Sequence, residues 1–307
     1  MNRESFSPEP APTAAAHVKR VRLLDHLRAL EGPRHPASSP ERLARAQAYV
    51  AEQFTRLDIP VLFDQFSVQH QTFTNVIARP AATRGRRLIV GAHFDTVSNT
   101  PGADDDASGV AVMLEAARVI RAIAPAAPVE FVGFNLEEWG MLGSRHYAEV
   151  LKRNGEELLG MLSLEMVGFT EREGRQTYPP MLAPFFPKTG DYIGLAANFR
   201  SRALLKAVER AMRGINALPV QTLALPGHGG LVPEIRLSDH APFWDAGYPA
   251  LLVTDTAFLR NPHYHRPTDT VDTLDLAFMD KVCQGGVAAI LAIATQAGST
   301  TEKGRRC

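Results

Sequence analysis

The sequence predicts an α/β fold: a three-layer sandwich in which a mostly parallel, mixed β-sheet carries helices on both faces. Three observations point to it. Between residues 87 and 165, short apolar runs alternate with stretches of helical periodicity, the β-α-β-α-β order that builds a parallel sheet through crossover helices. The runs RLIVG (87–91) and VEFVGFN (129–135) are almost continuously apolar, as strands covered on both faces are. The composition suits a packed core, with 45% of the 307 residues apolar and 21% charged.

Residues 1–16 mix proline, alanine and serine and are expected to form a disordered tail ahead of a single domain over 17–300. Val18 to Leu30 has helical spacing and stops at Gly32-Pro33. Ser39-Pro40-Glu41 reads as a helix start, with Ser39 as cap and Pro40 in the first turn; that helix runs to about Leu57. Val61–Val68 and Thr72–Ile77 read as short strands joined by a turn. After the strand at Arg87–Gly91 come a helix over Gly109–Arg121, a strand over Val129–Asn135, a helix over Gly140–Arg153 and a strand over Leu158–Glu165. Residues 169–198, rich in proline and aromatics, interrupt this order; a surface insertion and a loop over a substrate pocket both fit. A helix over Arg200–Arg213, strands over Leu218–Leu223 and Pro249–Thr254, and a closing helix over Leu274–Thr295 complete the chain.

Lys plus Arg and Asp plus Glu both number 33. With no net charge, neither nucleic acid nor an anionic membrane is an expected partner. Two cysteines, Cys283 and Cys307, make no disulfide framework. The N-terminal residues lack the apolar core of a signal peptide, and no run is read as reaching the roughly 20 apolar residues of a membrane span. The expectation is a soluble, cytoplasmic protein.

The chemistry sits where strands end. In an open parallel sheet, ligands bind beyond the carboxyl ends of the strands. The first buried strand leads into His93-Phe94-Asp95, the second into Glu137-Glu138, the third ends at Glu165, and the strand before Asp255 leads into the loop with His263 and His265. Imidazole and carboxylate without cysteine suit zinc or a neighbouring divalent metal. Six such groups, His93, Asp105, Glu137, Glu138, Glu165 and His265, exceed what one tetrahedral ion takes and fit two ions sharing a carboxylate. Asp95, two residues after His93, is placed to orient the imidazole as an auxiliary to catalysis. The acidic run Asp104-Asp105-Asp106 opens a helix, where an acid also serves as a cap. Adjacent carboxylates at Glu137-Glu138 repel unless a cation or a shared proton compensates. Ser238-Asp239-His240 reads as a capping start of a helix, and neither a nucleophile elbow nor an HExxH motif occurs.

The runs GAHFDT, PGADDDASGVAVMLEAARV, NLEEWGMLGSRHY, LEMVG, SDHAPFWDAGYPA and NPHYHRPTDT together resemble the zinc aminopeptidases of metallopeptidase family 28, over about residues 87 to 275. That family also includes glutamate carboxypeptidases and glutaminyl cyclases. The resemblance implies two zinc ions per chain, with His93 and Glu165 on one, Glu138 and His265 on the other, and Asp105 bridging. It implies Glu137 as general base, Asp269 as a support for His265, and a peptide substrate that loses its N-terminal residue to a zinc-activated water. A one-zinc cyclotransferase, a carboxypeptidase and an inactive binding domain are the alternatives. One position departs from the pattern: Glu165 stands where the best-known aminopeptidases have aspartate.

Overall fold

In a computed structural model, residues 14–80 and 85–303 are described. Eight strands form one sheet: β1 (Val61–Val68), β2 (Gln71–Ala78), β3 (Arg87–His93), β4 (Val129–Phe134), β5 (Leu158–Glu165), β6 (Ile193–Asn198), β7 (Val220–Leu225) and β8 (Ala250–Thr254), in the order β1-β2-β4-β3-β5-β8-β6-β7. The central block β4-β3-β5-β8 is parallel throughout. β2 and β6 pair antiparallel at its two flanks, so the sheet is mixed. The parallel block lays four carboxyl ends side by side, and every donor named from the sequence leaves from one of them or from the loop that follows it.

The helices are α1 (Arg20–Leu30), α2 (Pro40–Thr55), α3 (Ala107–Ile123), α4 (Leu142–Arg153), α5 (Arg202–Arg213), α6 (His240–Ala246) and α7 (Leu276–Lys303). α1, α2, α3, α5 and α7 share one apolar cluster, and α4 and α6 share another across the sheet. Strand periodicity explains the division. In β3, Leu88, Val90 and Ala92 enter the larger cluster and Ile89 the smaller, because successive side chains alternate faces. The smaller cluster also surrounds the buried Glu130, which Arg79, Arg87 and Tyr147 neutralise and hydrogen-bond, as a buried charge requires.

Several expectations need correction. The tail assigned to residues 1–16 falls outside the described residues as far as position 13, but Ala14 and Ala15 are buried in the core. Ser39 occupies the cap position of α2 without a side-chain cap hydrogen bond. The 169–198 segment is not all loop: its last six residues are β6, a fully buried strand. The run Leu276–Thr295 is in fact long and apolar enough to cross a membrane, and 67% of that window is buried inside the molecule. Packing against α3 and α5 accounts for its apolarity.

Candidate metal centre

The carboxyl ends of β3, β4 and β5, the start of α3 and the loop after β8 converge on one cluster. His93 Nε2 lies 3.3 Å from Asp105 Oδ1 and 3.6 Å from Glu165 Oε2. His265 Nε2 lies 3.1 Å from Asp105 Oδ2 and 3.1 Å from Glu138 Oε2. Asp105 thus turns one oxygen to each imidazole. The result is two donor sets, His93-Asp105-Glu165 and Asp105-Glu138-His265, with one shared carboxylate. Glu137 belongs to neither set; its Oε2 is 3.9 Å from His93 Nε2.

The donor set fits a pair of divalent ions. Tetrahedral ligands about 2.0–2.2 Å from zinc stand about 3.3–3.6 Å apart, close to the observed separations. Both Nε2 atoms and Asp105 Oδ2 are buried without a hydrogen-bond partner, a costly arrangement that a cation relieves. The charges agree. Burial, reinforced by Glu165, Asp239 and Glu138, pushes Glu137 well above the usual carboxylate range against the pull of His93. Burial, with Asp105 adding to it, carries Glu138 up to about 7. Burial alone would lower His265, but the facing carboxylates of Asp105 and Glu138 take it to about 10. Glu137 and Glu138 thus hold a proton more tightly than ordinary carboxylates, as crowded buried acids do.

A scaffold of main-chain amides holds this cluster. Each member of the acidic run does a different job. Asp106 Oδ1 accepts from Gly109 N, capping α3, and from Met166 N, while its Oδ2 accepts from His93 N. A Cβ at Gly109 would stand 2.4 Å from Asp106 Oδ1 and 2.7 Å from the Leu164 carbonyl, so only glycine lets the helix start come this close. Asp104 accepts from Gly168 N and Asn261 Nδ2. That leaves Asp105 for the imidazoles. Leu136, Met166 and His265, next to or within the cluster, adopt φ of 59°, 47° and 57°, unusual for side-chain-bearing residues.

Three supporting roles differ from the sequence reading. Asp95 lies 3.5 Å from His93 Nδ1, long for a hydrogen bond; its two oxygens accept from the amides of Glu137 and Glu138, so it fastens the end of β4 to that of β3. Asp269 does not reach His265: it accepts from the amides of Asp104 and Asp105. Ser238 precedes α6 but neither it nor Asp239 caps by side chain. Instead Ser238 Oγ donates to Glu165 Oε2 at 2.8 Å and contacts Ser163 Oγ at 3.0 Å, fixing the Glu165 side chain. His263 stays outside the cluster, 2.9 Å from Thr268 Oγ1.

Sequence reasoning missed Tyr264. Its ring stacks on His265 at 3.7 Å, and burial plus the surrounding carboxylates hold its phenol protonated. It also lines a cavity of about 110 Å³ that opens beside Glu165. Tyr178, Leu182 and Phe186 of the 169–198 segment form one wall of it, and Leu252, Val232 and Ile235 form another. Of the two readings of that segment, the wall of a pocket is what the structure displays.

The chain matches peptidase family M28 over residues 75–290. It is 31% identical over 296 residues to the uncharacterized protein YfbL of Escherichia coli, covering 91% of this chain and 90% of that one. It is 27% identical to a probable leucine aminopeptidase of Arthroderma otae over 70% of this chain, and spans about half, 55%, of that relative's length. Among solved structures, the Legionella pneumophila LapA aminopeptidase superposes with a TM-score of 0.75 at 19% identity, covering 96% of this chain and 76% of that one. Macrostomum lignano glutaminyl cyclase does so with a TM-score of 0.70 at 18% identity, covering 95% of each; both likenesses concern the fold.

Proposed function

The chain belongs to peptidase family M28, and from that premise we propose that it is a two-zinc aminopeptidase that releases apolar N-terminal residues from peptides. One observation carries the reading: Asp105 presents one oxygen to each of two histidines, so two donor sets share a carboxylate. His93, Asp105 and Glu165 would hold one ion; Asp105, Glu138 and His265 would hold the other. Zinc in such a pair supplies Lewis acidity, lowering the pKa of water towards 7 and polarising a carbonyl.

The chain's own groups do the rest. Glu137 stands at the edge of both sets, and its raised proton affinity suits a carboxylate that takes a proton from the attacking water and returns it to the leaving amine nitrogen. Asp95, through the amides of Glu137 and Glu138, keeps that carboxylate in place. Tyr264, a neutral phenol beside the cluster, is a hydrogen-bond donor for the carbonyl oxygen as negative charge develops on it. The pocket shares Glu165 with the first donor set, so a side chain seated there brings its backbone to the cluster.

The test compares peptides with free and blocked N-termini while zinc is counted by mass spectrometry of the native chain. About two ions per chain and turnover of free N-termini alone are expected. Equal cleavage of blocked peptides would sink the aminopeptidase assignment. A single ion with cyclisation of N-terminal glutamine would replace it with the cyclotransferase.

A further inference from the structure

Beneath the cluster lies a cation that the reading above does not use. Arg34, on the segment between α1 and α2, is 2% exposed. Every side-chain hydrogen bond it makes goes to a main-chain carbonyl. Nε donates to Phe94 at 2.8 Å; Nη1 donates to Leu30, to Gly32 at 3.0 Å and to Pro101 at 2.8 Å; Nη2 donates to Gly102 at 2.9 Å. Its amide donates to Thr96 Oγ1 at 2.8 Å, and the neighbouring Gly32 N donates to Pro101 O at 2.8 Å.

The positions of these acceptors matter. Phe94 lies between His93 and Asp95, and Gly102 opens the turn that delivers Asp105. One rigid fork thus spans the strand end carrying one donor and the turn carrying the shared donor. The approach is close. At Gly102 (φ +64°), a Cβ would stand 2.8 Å from Arg34 Nη2 and 2.4 Å from Thr96 Cγ2. Among the described residues no carboxylate forms an ion pair with it. Burial draws the guanidinium down to about 10, and Asp269, Asp105, Asp95 and Asp106 act in the other direction; it remains a cation at neutral pH, set against the acids of the centre.

We infer that Arg34 is a positioning residue for the metal centre, its planar fork fixing the His93 strand end against the Asp105 turn so that their donors meet at the spacing an ion requires. The inference rests on the two-ion reading. Lysine keeps the charge but puts three donors on one atom, and so does not span carbonyls from three chain segments. Groups that orient ligands from behind typically change metal affinity or activity by about 10–100-fold when replaced.

The experiment measures zinc dissociation constants by competition with a chromophoric chelator, in the full chain and in Arg34→Lys. Melting of the metal-free forms and kcat and KM on an N-terminal leucine anilide accompany it. Zinc binding weaker by about tenfold or more, with lower kcat and little change in KM, is expected, because the pocket is built from other residues. A variant that melts earlier without zinc, yet binds zinc and turns over as the parent does, overturns the inference and leaves Arg34 a purely structural group. Should Arg34→Lys fail to fold, Arg34→Gln keeps a planar donor group too short to span these carbonyls. Zinc binding weaker by about tenfold or more there supports the inference, and binding equal to the parent's overturns it. A parent chain that takes up no zinc overturns the two-ion reading and the inference together, and is recognised before any variant is made.

Discussion

At the scale of residues, the neighbouring acids Glu137 and Glu138 separate cleanly. Glu138 is 3.1 Å from His265 and inside a donor set, whereas Glu137 is outside both. Glu137→Gln is therefore expected to keep its full zinc complement and to lose kcat by about 10²–10⁴-fold; a variant with normal turnover would remove Glu137 from proton transfer. Tyr264→Phe keeps the ring stacked on His265 but deletes the donor. A kcat lowered by about tenfold or more at near-constant KM is expected, and equal kcat would strip the phenol of its role. The donor residues themselves were legible in the sequence because each ends a buried strand or sits in the loop that follows one. Their supports were not. Asp95 binds amides 42 and 43 positions away, and Asp269 binds amides 165 and 164 away; hydrogen bonds over such separations leave no periodicity to read. Tyr264 was hidden for a different reason, since a tyrosine beside a histidine has no pattern until the pocket exists.

At the scale of elements, the β-α-β-α-β stretch was the easiest part to read, because strands buried on both faces and crossover helices impose different apolar periods. The 169–198 segment was the hardest. Prolines and aromatics mask β6, whose short GLAA centre lacks strong strand formers, and the strand is held by its neighbours β8 and β7 more than by its own preference. Its upstream part walls the pocket, so Leu182→Trp should fill space now open to a substrate side chain. KM for leucine peptides is expected to rise about tenfold, with a smaller rise for alanine peptides; equal rises for both would place the side chain elsewhere. Outside the metal centre, His26 of α1 shares a 2.7 Å hydrogen bond with Tyr49 of α2. Burial, with Arg22 adding, lowers it from 6.5 to about 4. A depressed histidine is neutral in the fold while the unfolded chain takes up a proton. Its contribution is thus complete above about pH 6.5 and is lost as pH falls towards 4, by about 3 kcal/mol at the most. His26→Gln, melted in EDTA, should lose less stability than the parent between pH 6.5 and 4; parallel curves would show that His26 does not titrate this way.

At the scale of the whole molecule, the centre joins chain segments that little else brings together: three central strand ends, the start of α3 and the loop after β8. In the unfolded chain these donors, from His93 to His265, are scattered over more than half the sequence, so an ion that binds them as a set binds the folded state almost exclusively. Linkage then makes zinc a source of stability, worth about 2.7 kcal/mol for one site at a free concentration a hundred times its dissociation constant. For a domain of this size that corresponds to a melting temperature higher by about 4–5 °C. EDTA should remove the increment and added zinc restore it. Three variants divide the effect according to the geometry. Glu137→Gln, outside both donor sets, keeps the whole shift. His265→Ala, which depletes one set, keeps only part of it. Asp105→Asn, which weakens the shared carboxylate, loses most of it, because both donor sets then lose the anionic ligand they have in common. Differential scanning calorimetry with and without EDTA reads all four proteins. A parent chain whose melting is indifferent to EDTA would mean that the two histidines and their carboxylates are content as ion pairs, and that the fold does not depend on a metal to reconcile its acids.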